Sequence, residues 1–291
     1  MADTSLPNEL ASDPNERPDL VALGENRLSW LERRQIAFVR RTFESPPWDR
    51  AIRFFQRVIG STWIHHFTKY LRHVYGMERL PRFDRKKSFI IVSNHRSFFD
   101  LYVVTGHLVR IGLRHRIVFP VRASFFYDSP LGLFVNGVMS FFAMYPPIFR
   151  EKRKVFLNPA SLDELAWLMK QGGMLAGLHP EGTRNLGEPH TFLPAQRGVG
   201  RIIHAAGATV IPVFINGLIN DLPRQIGSNF DGTGRTIVVV FGAPIDFGEL
   251  LAAPTSPKVH QAIADRALEV IAELGREERD LRRALEARLS R

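Results

Sequence analysis

The spacing of apolar and polar residues changes along the chain and defines two regions. Over residues 50–75, large apolar side chains recur every three or four positions, and arginine and lysine fill most of the opposite face. This spacing predicts a basic amphipathic helix. A weaker helical pattern covers about 28–43, and Pro46-Pro47 separates the two. We therefore predict an amphipathic helical hairpin within residues 28–75.

After the hairpin, short apolar runs alternate with helical patterns. The apolar runs predict buried strands at 88–93, 116–121, 174–178, 209–215 and 236–241. The helical patterns lie at about 98–111, 131–143, 161–171, 196–206 and 258–289. We expect Gly275 to break the last helix. Alternation of this kind favours an α/β domain over 76–291, with a mainly parallel central sheet flanked by helices.

Charge affects how the hairpin is interpreted. The formal net charge is +10 and the pI is about 10.4. Residues 28–87 carry 14 Lys and Arg against 5 Asp and Glu. This surplus attracts anionic lipid, nucleic acid or an acidic carrier protein. Because aromatic residues lie among these cations, we interpret the hairpin as membrane-interfacial, although helices that merely pack on the domain would show the same periodicity.

The first 27 residues have a different composition. They carry six acidic residues and two arginines, with many Pro, Asn and Ser. This composition predicts a disordered acidic tail over 1–27. The tail lacks the basic start and apolar run of a secretion signal. The absence of cysteine excludes disulfides, cysteine-ligated zinc and a thiol nucleophile.

The most apolar stretch, residues 131–149, is interrupted by Asn136, Ser140 and Pro146-Pro147. Such interruptions argue against a membrane-spanning helix. We predict instead a buried or membrane-dipping helix. The expected location of the protein is peripheral or monotopic, on the cytoplasmic face of a membrane.

A histidine and an aspartate directly follow the first predicted strand, in the run Asn94-His95-Arg96-Ser97-Phe98-Phe99-Asp100. His95 is thereby placed at the carboxyl end of a buried strand, where α/β sheets bind ligands. If Asp100 lies in the first helical turn, it can accept a hydrogen bond from one ring nitrogen and leave the other for a substrate. The same residues also fit a capping box with Ser97 at the N-cap, and spacing alone favours that interpretation until the second motif is considered.

A second polar run, His179-Pro180-Glu181-Gly182-Thr183-Arg184-Asn185, follows the strand predicted at 174–178. Gly182 permits a tight turn, and Arg184 can bind phosphate oxygens with two donors. Thr183 can add a hydroxyl, and Glu181 could orient Arg184 or cap the turn. An ordinary surface turn is the alternative.

Together the two runs resemble the sequence blocks of the glycerolipid acyltransferase family, typified by lysophosphatidic acid acyltransferase. The family's first block is Asn-His, four residues and Asp; its third is an aromatic residue or valine before Pro-Glu-Gly-Thr-Arg-Ser. Here His179 and Asn185 depart from the third block. Val210-Ile211-Pro212-Val213 matches a fourth, apolar block. The resemblance covers about residues 70–245.

Further arginines are identified through this resemblance. Arg150 is similar to the arginine that ends the second block, with Arg153 as the alternative, although Pro146-Pro147 departs from that block. Arg197 is similar to a basic residue that follows the third block. The residues implied to bind the acceptor are Arg150, Glu181, Gly182, Thr183, Arg184 and Arg197.

The resemblance implies an O-acyltransferase of phospholipid biosynthesis. His95 would act as general base, held by Asp100, and the acceptor alkoxide would attack the thioester of acyl-CoA or acyl carrier protein directly. No metal or cofactor is expected. The implied acceptor is lysophosphatidic acid, which would give phosphatidic acid at the membrane; glycerol phosphate and other lysolipids are alternatives.

A non-catalytic basic membrane-binding module is the alternative of a different class. Nucleic-acid binding is disfavoured because the basic surplus lies on a helix with large apolar residues and no nucleic-acid motif is present.

Overall fold

A seven-stranded sheet forms the centre of the protein, whose computed structural model describes residues 16–289. The strands are β1 (Arg72–Tyr75), β2 (Phe89–Ser93), β3 (Arg116–Arg122), β4 (Met144–Ile148), β5 (Met174–Leu178), β6 (Thr209–Asn216) and β7 (Ile237–Phe241). Their order is β1-β7-β6-β2-β5-β3-β4. Every neighbouring pair is parallel except β6 with β7. The predicted α/β fold with a mainly parallel sheet is confirmed.

Helices cover both faces of this sheet. Within the described residues they are α1 (Leu20–Leu23), α2 (Trp30–Glu44), α3 (Pro46–Phe55), α4 (Ser61–His66), α5 (Asp100–Arg110), α6 (Ala123–Phe126), α7 (Pro130–Phe134), α8 (Asn158–Lys170), α9 (Arg197–Ala206), α10 (Leu222–Asp231) and α11 (Pro257–Leu289). Short π-helical turns continue α3 over Gln56–Gly60 and α7 over Val135–Met139.

Two apolar cores follow from the alternation of side chains along each strand. In β2, Phe89 and Ile91 belong to the core shared with α2, α4 and α5. Ile90 and Val92 belong to the opposite core, shared with α8, α9 and α11. Because both faces are covered, every residue of β2 is buried and the strand reads as an unbroken apolar run.

The predicted hairpin is helical only as far as His66. Ser29 and Glu32 form a capping box at the start of α2, and Pro46 and Pro47 occupy the first turn of α3. The prediction of a helix up to residue 75 is wrong, because Arg72–Tyr75 pairs with β7 as an edge strand. The β-ladder satisfies backbone groups that a continued helix would have bonded internally.

The predicted disordered tail is wrong for residues 16–27 and falls outside the described residues for 1–15. Leu20 is fully buried in α1, and the side chain of Asp19 caps that helix. The guanidinium of Arg17 lies 2.6 Å from the buried carboxylate of Glu164 and 2.7 Å from the exposed carboxylate of Glu44. Buried apolar area and a partly buried ion pair therefore hold a segment whose composition predicts disorder.

The prediction of a helix from residue 131 to 143 or 149 is correct only as far as Met139. The chain turns and returns as β4, an edge strand that pairs only with β3. Proline has no N–H to donate, and an edge position tolerates Pro146 and Pro147. Among the described residues, none of the helices combines the length and the apolar character needed to cross a bilayer.

Gly275 does not break the last helix, because α11 runs without interruption over Pro257–Leu289. A Cβ atom at Gly275 would lie 3.0 Å from the ring of Phe214 in β6. The glycine therefore allows close packing of α11 on the sheet, which outweighs its low helix propensity.

Candidate active site

His95 and Asp100 lie at the carboxyl end of β2, as the sequence predicts. His95 is in the turn after β2, and Asp100 is the first residue of α5. The Oδ2 atom of Asp100 accepts the backbone N–H groups of Arg96 and Ser97, each at 2.7 Å, and lies 3.5 Å from Nδ1 of His95. The alternative capping box forms only in part: Asp100 accepts the N–H of Ser97, but the hydroxyl of Ser97 accepts the N–H of Phe99 and not that of Asp100. The chain folds back so that the carboxylate faces the ring.

Burial sets the protonation of this pair. Burial, assisted by the charge of Arg184, lowers the pKa of His95 from 6.5 to about 4. Burial raises the pKa of the Asp100 carboxyl to about 6, and its Oδ1 atom has no hydrogen-bond partner among the described residues. At neutral pH the imidazole is therefore uncharged and the carboxylate charged. That combination lets Nε2 of His95 accept a proton while Asp100 stabilises the resulting imidazolium.

His179 forms a flat support for the ring of His95. The two rings stack with centroids 3.8 Å apart and planes inclined by 7°. Nδ1 of His179 lies 3.0 Å from the carbonyl oxygen of Ser93, and burial lowers the pKa of His179 to about 3. The sequence marked His179 only as a departure from the family pattern. An aromatic residue, usual at this position in the family, offers a similar surface.

His95, Asp100 and His179 also form a group whose potential metal-ligand atoms all lie within 4.8 Å of one another. The lone pair of an imidazole nitrogen lies in the ring plane. Because the two rings stack in nearly parallel planes, their lone pairs cannot converge on one ion in this conformation. We therefore interpret the group as an acid–base cluster.

Two backbone contacts join the second motif to the first. Glu181 is buried, and its Oε1 atom accepts the N–H of His95 at 3.0 Å while Oε2 accepts the N–H of Leu193 at 2.8 Å. The N–H of Asn185 donates to the carbonyl of His95 at 2.8 Å. Both oxygens of Glu181 thus brace the backbone, at the histidine turn and at Leu193, and among the described residues Glu181 forms no ion pair with Arg184. Its position on a buried turn was not evident from the residue types.

We expect Glu181→Gln to destabilise the protein by about 1–3 kcal/mol, because the amide NH₂ would face one of the two buried N–H donors. Urea unfolding monitored by circular dichroism measures the change. Glu188→Gln, at an exposed position of the same loop, is the matched control and should unfold like the wild type. Equal stability of the two variants would show that Glu181 is not a structural brace.

Arg184 and its neighbours form the exposed side of the site. Gly182 has a φ of +65°, in the left-handed region that glycine adopts readily, and its carbonyl accepts Nη2 of Arg150 at 3.1 Å. This contact favours Arg150 over Arg153 as the flanking arginine. Thr183 and Arg184 are exposed, and within residues 16–289 Arg184 forms no ion pair. Its free guanidinium lies close enough to His95 to lower the pKa of that ring.

Arg197 lies beside the same loop, on its other side. It begins α9 directly after Gln196, whose N–H donates to the carbonyl of Pro180 at 2.8 Å. Its side chain is exposed, and its charge helps to lower the pKa of His260 in α11. The structure thus brings His95, Asp100, Arg150 and Arg184 to one end of the sheet and places Arg197 at the border with α11.

Comparison with known proteins agrees with this geometry. Residues 72–216 match the family described as acyltransferase. A chloroplastic 1-acyl-sn-glycerol-3-phosphate acyltransferase of Brassica napus is 27% identical over 181 residues, which are 60% of this chain and 46% of that protein. The chain thus spans about half the length of this curated relative.

A solved structure shares the fold. The crystal structure of the 1-acyl-sn-glycerophosphate acyltransferase PlsC from Thermotoga maritima aligns with a TM-score of 0.52 and 21% identity, over 84% of this chain and 88% of that one. The family match contains both polar motifs and the strands that position them. The chain belongs to the glycerolipid acyltransferase family.

Proposed function

We propose that this protein transfers a fatty acyl group from acyl-CoA or acyl carrier protein to the free hydroxyl of lysophosphatidic acid, forming phosphatidic acid in phospholipid biosynthesis. The observation that supports this most is an uncharged His95 that faces a buried carboxylate and lies beside the unpaired guanidinium of Arg184. A base beside an anion-binding group suits an acceptor that carries both a hydroxyl and a phosphate.

In the proposed reaction, Nε2 of His95 removes the proton of the acceptor hydroxyl. The oxygen forms a bond to the thioester carbonyl carbon, the carbon–sulfur bond breaks, and the departing thiolate takes the proton from the imidazolium. Asp100 stabilises the imidazolium through Nδ1. No acyl-enzyme is needed, and the chain has no cysteine that could form one through a thiol.

Binding of the acceptor phosphate is assigned to Arg184. Its planar guanidinium can donate two parallel hydrogen bonds to phosphate oxygens. Thr183 adds a hydroxyl beside it, and Arg150 holds the carbonyl of Gly182 so that the turn keeps its shape.

Membrane association is supported by a group of exposed apolar residues, which we name the apolar patch. It consists of Phe54, Phe55, Val58, Ile59, Leu131, Phe134 and Val138, all of them exposed. Phe55 stacks on Phe141 with centroids 5.7 Å apart, which joins the α3 side of the patch to the α7 side. Contiguous exposed apolar residues mark interaction surfaces, and aromatic rings suit the lipid headgroup layer. We propose a peripheral or monotopic location, on the cytoplasmic face of the membrane.

The proposal is tested by incubating the purified full chain with labelled acyl-CoA or acyl carrier protein and a panel of acceptors. Mass spectrometry then identifies the lipid product. We expect phosphatidic acid from lysophosphatidic acid. A product only from glycerol phosphate or from another lysolipid would replace the proposed acceptor. Vesicle binding without any product would favour the non-catalytic membrane-binding module.

We expect Arg184→Ala to raise the KM for lysophosphatidic acid by roughly tenfold to a hundredfold, since hydrogen bonds to a charged group contribute about 1.5–3 kcal/mol. The KM for the acyl donor should change little. Steady-state kinetics with each substrate varied in turn measures both. Arg276→Ala, an exposed position on α11, is the charge-matched control. An unchanged acceptor KM would remove Arg184 from the phosphate site.

The same variant has a predicted effect on pH dependence. His95 must be uncharged to accept a proton, and its lowered pKa of about 4 keeps it so at neutral pH. For the wild type, kcat/KM should therefore be constant at neutral pH and fall below about pH 6, as Asp100 and then His95 bind protons. In Arg184→Ala the pKa of His95 rises, because a positive neighbour is removed. The part of the fall that is due to protonation of His95 therefore shifts to higher pH, while the onset set by Asp100 stays near pH 6.

A further inference from the structure

A group of basic residues with no carboxylate among them lies on α4, the turn after it, the start of β1 and α5. We name it the cationic cluster, and its members are His65, Lys69, Arg72, His107 and Arg110. Nη2 of Arg72 donates to Nδ1 of His65 at 2.8 Å, and Nη1 donates to the hydroxyl of Thr68 at 3.0 Å. In the part of the chain that the structure describes, Lys69, Arg72 and Arg110 pair with no aspartate or glutamate.

Close packing of two helices brings these residues together. A Cβ atom at Gly106 of α5 would lie 2.5 Å from Cγ2 of Ile64 in α4. His65 and His107 directly follow this contact, and Arg110 lies three residues beyond His107, on the same side of α5. The helices therefore hold the members of the cluster near one another, whatever their charges.

The like charges in this arrangement are unfavourable. Burial, together with the charges of Arg110 and Arg72, lowers the pKa of His65 to about 4. Burial, with Arg72, His65 and Arg110, lowers the pKa of His107 to about 4. Burial and Arg110 also lower the pKa of Arg72 to about 10. Partly buried cations normally have an anionic partner. Because the described residues provide none, a bound anion would relieve the repulsion.

The hydrogen bonds indicate which anion fits. Arg72 donates to Nδ1 of His65, so the proton of the neutral ring is on Nε2, where it can be donated to a ligand. Arg72 and Arg110 add guanidinium N–H groups. Several donors and no acceptor suit the oxygens of a phosphate group.

Exposed aromatic residues border the cluster. Tyr70 is 61% exposed, Nζ of Lys69 lies 4.4 Å from its ring centroid, and the ring of Phe230, 57% exposed, packs against it at 5.9 Å. Rings with a polar edge beside lysine and arginine are typical of surfaces that contact lipid headgroups.

We propose that the cationic cluster binds a phosphate group, carried either by a soluble phosphate compound or by an anionic lipid headgroup, at a site separate from Arg184. The phosphate lies between the guanidinium groups of Arg72 and Arg110 and accepts the Nε2–H of His65. This second site depends on neither the acyl transfer reaction nor its acceptor.

The test uses the full chain with Arg184→Gln, so that the proposed active site does not contribute phosphate binding. Inorganic phosphate is titrated by calorimetry and by NMR of the histidine side chains. We expect saturable binding that shifts the His65 and His107 resonances and is weakened about tenfold or more by adding Arg110→Gln or Arg72→Gln. Adding Arg276→Gln, a charge-matched control on α11, should leave the affinity unchanged.

A second arm distinguishes the source of the phosphate. Sedimentation compares vesicles of phosphatidylcholine with vesicles of phosphatidylcholine and phosphatidylglycerol. If Arg110→Gln weakens binding only to the anionic vesicles, relative to Arg276→Gln, the ligand is a lipid headgroup. If it weakens only inorganic phosphate, the ligand is soluble. Arg110 is exposed, so this variant remains informative if Arg72→Gln does not fold. Equal behaviour of Arg110→Gln and Arg276→Gln in both arms would overturn the proposal.

Discussion

Replacement of His95 by alanine is expected to lower kcat for acyl transfer by about 10²–10⁴-fold, the usual contribution of a general base. The protein should still fold and bind vesicles, because the backbone N–H and carbonyl of residue 95, which bond Glu181 and Asn185, remain in place. The KM for lysophosphatidic acid should change little, since Arg184 is retained. Initial rates with saturating acyl donor measure the loss.

His204→Ala is the matched control for this variant. His204 lies near the C-terminal end of α9, and its ring is hydrogen-bonded to the carbonyl of Ala253. Its removal should leave kcat within a factor of about two, because it contributes no proton transfer. Transfer at the wild-type rate in His95→Ala would refute the proposed base, and an equal loss in both variants would point to general destabilisation.

Much of the central sheet could be predicted because its strands are buried on both faces. β2, β5 and β7 consist entirely of buried residues and appear in the sequence as unbroken apolar runs. Edge strands lack this signal. The residues of β1 are only partly buried, and β4 contains two prolines, so the local pattern predicts helices for both segments. Long-range pairing decides such segments, and local periodicity does not report it.

The meeting of the two polar motifs could also be predicted. β2 and β5 are adjacent and parallel, so residues after both strands lie at the same edge of the sheet. The roles of Glu181 and His179 could not be predicted, because each depends on contacts with residues of another strand end. Glu181 bonds residues 86 positions before it and 12 after it. A carboxylate beside an arginine suggests an ion pair, but buried backbone N–H groups need an acceptor more strongly.

The second large effect is expected for Asp100→Asn. Asparagine can present its carbonyl oxygen to the N–H groups of Arg96 and Ser97, so the turn should keep its shape. The charge that stabilises the imidazolium of His95 is lost, and the neutral amide can favour the wrong tautomer of that ring. We expect kcat to fall by about 10²–10⁴-fold, with little change in the KM for either substrate.

Asp246→Asn is the matched control, because Asp246 also accepts a backbone N–H, that of Gly248, at an exposed site remote from His95. Thermal unfolding of both variants separates a change in fold from a change in chemistry. If Asp100→Asn melts like the wild type and keeps its kcat, the carboxylate serves only the turn and His95 acts without it. If kcat falls while the melting temperature is preserved, the negative charge itself contributes to catalysis, because both N–H groups still have an acceptor.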